Sequence, residues 1–182
     1  MKYYNNSKPV EVSIEYPLYE SQKGDYFIGQ TPILSGGNQH ALALLKNPQN
    51  SNKIIYLNAI TLTNISAVDL SAEFYLRSNI YNPVPSSLVS CVNTAIYPEP
   101  LPNGQVQYIN SPTSPPDDGV SIFSRIVPNS STLVVDGGQI ILAPGQSIAV
   151  YIGGFSPITF SSIRFAFGWW EEKIHCCNTP CR

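Results

Sequence analysis

The sequence predicts an all-β protein, a jelly-roll-like antiparallel β-sandwich of about eight to ten strands. It adds an N-terminal extended arm and a Cys-rich C-terminal tail. Three observations carry this reading. Short segments alternate apolar and polar residues at period two, 16 prolines and 12 glycines punctuate them, and no stretch sustains a helical period. Tyr (11), Phe (7) and recurring Val, Ile and Thr suit a pleated, half-buried surface. A length of 182 residues supports one substantial core. The number of strands, the long crossing loops and the single domain favour a jelly roll among sandwiches.

The elements follow in order. Residues 1–24 form the predicted arm, in which Val10, Val12, Ile14 and Tyr16 alternate with Glu11, Ser13 and Glu15 as one two-faced strand. Residues 25–172 form the predicted sandwich. A short strand at 25–28 and the apolar run at 40–45 precede the turn-rich 47–52. Residues 53–64 carry apolar side chains on both faces, which predicts an interior strand. At 68–78, Val68, Leu70, Ala72, Phe74 and Leu76 point inward against Asp69, Ser71, Glu73, Tyr75 and Arg77. Residues 79–119 crowd prolines, which cannot donate to a ladder, so short strands at 87–92 and 105–109 are expected at edges. Strands are then predicted at 121–127, 131–136, 139–143, 147–153 and 160–170, the last with Ile163, Phe165, Phe167 and Trp169 on one face.

Composition narrows the function. Ten basic and 12 acidic residues give a net charge of -2 without runs, so no stripe exists to neutralise nucleic-acid phosphates. No window approaches the roughly 18 apolar residues of a membrane span, and residues 1–16 lack a secretory h-region, so either synthesis in a cytoplasm or prior removal of a leader is expected. The sequons at Asn64 and Asn129 read as chance. The only histidines are His40 and His175, and no nucleophile elbow, zincin motif or phosphate loop is present. A non-enzymatic protein without cofactor or metal is expected. Asp117 and Asp118 lack the spaced oxygens of a calcium loop. Glu171 and Glu172, adjacent on a strand, point to opposite faces and cannot share acid–base work. Trp169 and Trp170 read as one core and one rim residue, with a sugar-stacking platform as the alternative.

Residues 173–182 form the predicted connector tail. His175, Cys176, Cys177 and Cys181 are four possible zinc ligands, but one short run with adjacent donors is poorly spaced for a single ion. Cross-linking fits better. Neighbouring side chains on an extended segment project oppositely, so Cys176 and Cys177 face different surfaces, and a bond between them would be strained. The tail extends at most about 33–36 Å, enough to reach a neighbouring small domain. Cys91 is the remaining cysteine and a receiver for one tail thiol, either in another copy or in the same chain. Disulfides are rare in the cytosol, so assembly in a cell that later lyses would reconcile tail and compartment.

Low charge, the detached "VEVSIEY" arm and the "CCNTPC" cluster together make the chain resemble the subunits of bacterial endospore appendages. These are disulfide-linked, pilus-like fibres of spore-forming Bacillus relatives. The resemblance implies a fibre on a spore or other extracellular surface, built from copies of this chain by sheet augmentation, with a spore-surface or tip protein as a further partner. It places Cys176, Cys177 and Cys181 in the connector and Cys91 in the receiver. In that family the connector is N-terminal, whereas this cluster is C-terminal. The run "ILAPGQSIAVYI" suits phage virion and head-decoration jelly rolls equally well. A phage or virus capsid, fibre or decoration protein is therefore one alternative, and a carbohydrate-binding module using Trp169 and Trp170 is another.

Overall fold

A computed structural model describes residues 13–36, 40–153 and 161–174. One helix, α1 (Tyr16–Lys23), precedes thirteen strands among the described residues. These are β1 (Tyr26–Gln30), β2 (Leu34–Gly36), β3 (Ala41–Lys46), β4 (Lys53–Asn64), β5 (Leu70–Leu76), β6 (Val84–Pro85) and β7 (Val89–Cys91). Then come β8 (Gln105–Asn110), β9 (Val120–Val127), β10 (Ser131–Asp136), β11 (Ile141–Leu142), β12 (Ser147–Ile152) and β13 (Ser161–Lys173).

The strands form two antiparallel sheets. The first runs β10-β4-β13-β1-β7, with β11 also on β4 and β2 on β13. The second runs β6-β8-β3-β12-β5-β9. Eight strands make the framework: β1-β13-β4-β10 face β3-β12-β5-β9. First pairs with last, and successive framework strands change sheet at every step but one, β5 and β9 staying together in the second, which is the double Greek key of a jelly roll. The other five are short or lie beside framework strands, so the total exceeds the eight to ten expected.

Side chains of the inner faces fill one core, with Trp169, Phe74, Phe165 and Phe167 wholly buried. Each large apolar side chain removed from water contributes about 1.5–3 kcal/mol. A second, smaller cluster of Leu42, Leu44, Tyr75, Ala149 and Tyr151 lies on the outer face of the second sheet, packed by Ile80 and Ile109. Hence β3 and β12 read as nearly unbroken buried runs.

Three expectations need correction. The arm does not continue as a strand through Tyr16, because α1 begins there with Pro17 in its first turn. A fixed φ and a missing N–H cost nothing at that position. Gly24 ends α1 in the left-handed region (φ 82°) and returns its N–H to the last carbonyls. Ile96 and Pro100 pack where its Cβ would be, so the site also excludes a side chain sterically. Next, β4 is not two-faced. The register with β13 slips between Gly168 and Trp169, leaving Asn58 as an extra residue, so Ile55, Leu57, Ile60 and Leu62 all face the core. Finally, β5 begins at Leu70, and Val68 is exposed rather than inward.

Candidate assembly surface

The two flanks of the sandwich are finished differently. Residues 77–119, between β5 and β9, wrap one flank, placing β8 against β3, β7 against β1, and β6 with Pro85 outside β8. Ser86 joins the sheets across this flank, giving its N–H to Val106 O in the second and its Oγ–H to Gln30 O in the first. Short, proline-bearing edges of this kind resist further pairing.

The opposite flank is open. Neither β9 nor β10 has a strand on its outer edge among the described residues. Each carries few charges, Arg125 in β9 and Asp136 at the end of β10. Val120 and Ile126 are exposed on β9, and Val134 on β10 is 64% exposed. Arg125 stacks over Phe123 rather than guarding the edge. One bulge, where Ile122 is skipped between Phe123 and Ser121, twists β9 locally. An eight-residue edge of low charge is a template for strand pairing.

One end of the sandwich is also distinctive. There Glu171 of β13 is buried and accepts from Asn103 N (2.9 and 3.0 Å), Asn103 Nδ2 (3.0 Å), Gly104 N (2.7 Å) and Trp169 Nε1 (3.1 Å). This carboxylate ties the 92–104 loop to the last strand. Only glycine fits at 104, since a Cβ would lie 2.8 Å from the Trp169 indole nitrogen. One residue on, Glu172 faces outward and accepts from Tyr16 Oη (2.9 Å) and Trp170 Nε1 (3.1 Å). Trp170 stacks on Tyr56 at 5.3 Å and meets Tyr16 edge-on at 5.8 Å.

A model of one protein family matches residues 2–176 of this chain. The chain belongs to DUF6143, a family of unknown function. No curated protein matches it significantly, and no solved structure does. The DUF6143 match spans the arm, α1 and all thirteen strands, and it includes Cys176 but not Cys177 or Cys181.

The sequence-derived site residues fall unevenly on this DUF6143 fold. Cys176, Cys177, Cys181 and His175 lie outside the described residues, as do Val10 and Val12. Ile14 is exposed and irregular, and Tyr16 opens α1. Cys91 lies inside the fold. Its free thiol is 3% exposed and lies 3.6 Å from Gly24 O, on β7 opposite Phe27. A tail thiol reaches so buried a sulfur only after local opening. Trp169 is core and Trp170 is sandwiched at the rim, so neither presents an open face to a sugar ring. Asn64 is buried, its Nδ2 donating to the carbonyls of Val68, Val127 and Pro128, so the first sequon is a structural clamp. Asp118 accepts from Asn79 N and Nδ2.

Two titratable groupings remain: Lys23 beside Glu20 and Asp25, with Lys53 also on Asp25, and Glu73, Tyr75 and Tyr151 on the outer face of the second sheet. Tyr75 donates to Glu73, and burial together with that carboxylate raises both phenols above their usual range. His40 stacks on Tyr151 at 5.4 Å. A groove of about 440 Å³ beside Ile28, Leu88 and Ala166 has no titratable lining. Among the described residues no helix is long and apolar enough to cross a membrane, and no three His, Cys, Asp or Glu gather as a metal site. Sequence reasoning missed the Glu171 tether, although Asn103-Gly104 is itself a turn signal.

Proposed function

We propose that this chain is a non-enzymatic structural subunit that self-assembles into a fibre on a spore or other extracellular surface. The observation that carries the reading is the open β9–β10 flank beside a flank sealed by 77–119. The arm of one copy laid on the open edge of the next joins two different surfaces, a heterologous contact that can propagate as a filament. The donor is the arm of another copy. With Tyr16 held in α1, the donor strand is confined to the residues before it, Val10, Val12 and Ile14 among them. Added to the edge, that strand contributes main-chain hydrogen bonds, and its alternating apolar side chains meet the exposed residues of the flank.

Cys176, Cys177 and Cys181 then lock neighbouring copies covalently. Two thiols form one S–S bond, and the two protons and two electrons released reduce a small-molecule disulfide to its two thiols. Burial makes Cys91 a slow receiver, so tail-to-tail bonds between copies form first.

Denaturing gels with and without reductant, paired with negative-stain images, test the reading. Wild type gives filaments and a reductant-sensitive ladder. Changing all three tail cysteines to Ser keeps the filaments but removes the ladder. Ile126→Lys with Val134→Lys keeps the fold and loses the filaments. A sharp monomer band in both lanes without filaments overturns the proposal; icosahedral shells or trimeric spikes would instead indicate the phage or virus alternative.

A further inference from the structure

Both ends of the described chain meet at one place. Tyr16 Oη bonds Glu172 at 2.9 Å, and two residues later Ile174 N bonds Asn52 O at 3.2 Å. Residues 1–12 therefore join the body beside the point where residues 175–182 leave it. The same end holds the 92–104 loop, which is tied down on three sides. Asn93 Nδ2 donates to Gln22 O of α1, Glu99 accepts from Ser90 and Cys91, and Glu171 holds Asn103 and Gly104. On this braced loop Tyr97 is 96% exposed and Leu101 is 84% exposed. Ile14, Leu18 and Ile174 are exposed at the same end.

Large apolar side chains carried outward on a braced loop cost little further loop ordering when covered, which suits an interface anchor. The geometry points to this end being a single docking head for a second copy of the chain, on which Tyr97 and Leu101 are the anchors. The arm and the cysteine tail of one molecule then engage the same neighbour. Residues 1–12 span at most about 40–43 Å, and 175–182 at most about 26–29 Å. From adjacent roots, their reaches overlap on one small domain. Once the arm is seated, the tail thiols meet that neighbour at an effective concentration in the millimolar range, so strand docking sets the rate of cross-linking.

The inference rests on the assembly reading, so its test separates the two. The full chain is mixed with oxidised glutathione, which accepts two electrons and two protons for each disulfide formed and leaves as two glutathione thiols. Ladder formation is timed for wild type, for Tyr97→Ser with Leu101→Ser, and for a chain lacking residues 1–12 with every cysteine kept. Both variants are expected to cross-link about tenfold or more slowly than wild type, while their circular dichroism and melting stay unchanged. Arm-deleted chains that cross-link at the wild-type rate, or an anchor variant that assembles normally, would overturn the docking head and leave the assembly reading standing. A wild-type chain that neither forms filaments nor cross-links removes both.

Discussion

Replacing Glu171 with Ala withdraws one acceptor group from four donors at once. Asn103 is half-buried, so its backbone and side-chain N–H groups regain water. Gly104 N–H and the Trp169 indole N–H are enclosed and do not. An orphaned buried donor costs about 1–3 kcal/mol, and the vacated side-chain volume adds to that, for roughly 3–5 kcal/mol in total. Against the 5–15 kcal/mol typical of a domain, this is about a fifth or more of the stability, or roughly 10 °C in melting temperature. Glu171→Gln retains one acceptor oxygen but aims an NH2 group at remaining donors, for about 1–2 kcal/mol. Equilibrium urea denaturation followed by tryptophan fluorescence measures both. Glu172→Ala, one residue later on the outer face, is the internal control. It loses partly exposed bonds to Tyr16 and Trp170 and is expected to cost under about 1 kcal/mol. If Glu172→Ala costs as much as Glu171→Ala, the argument from enclosed donors is refuted.

Two further expectations concern the body of the fold. Asn64→Ala removes three carbonyl contacts and the acceptor for Ser66, and should cost about 2–4 kcal/mol in the same denaturation assay. Tyr75 and Tyr151 bind their protons more tightly when folded than the 10.0 of a free phenol, so their contribution is intact below that pH and is lost as pH climbs above it. The denaturation midpoint should therefore hold to about pH 9 and fall beyond about pH 10, and Tyr75→Phe should flatten the fall. A midpoint independent of pH across that range would contradict the burial assigned to these phenols.

Where sequence and structure part, the reasons are local. The alternation at 160–170 identified β13 because only one of its faces is buried along most of its length. In β4 the same logic misread the pattern, since one bulged residue at Asn58 swaps faces halfway along. The dense apolar runs of β3 and β12 record burial on both sides, and the covering layer comes from residues 77–119, far away in the chain. Helix α1 was signalled by Pro17 and Gly24 bracketing one short segment, but eight residues with Glu20 alone buried show no apolar stripe. At the candidate surface, the closed flank could be read from its prolines. The open flank could not, because which strand ends a sheet is decided by pairings between distant segments. Cys91 shares a face with Val89 two residues earlier, a cue to burial that its chemistry obscured.

The place of β13 governs how the molecule comes into being. It lies between β1 and β4, with β2 also against it, yet it is synthesised after every other described strand. Without β13, β1 and β4 share no ladder, and the space about 10 Å wide that separates them in the finished sheet has nothing to fill it. The first sheet can therefore close only once its last strand, and with it both tryptophans, has been made.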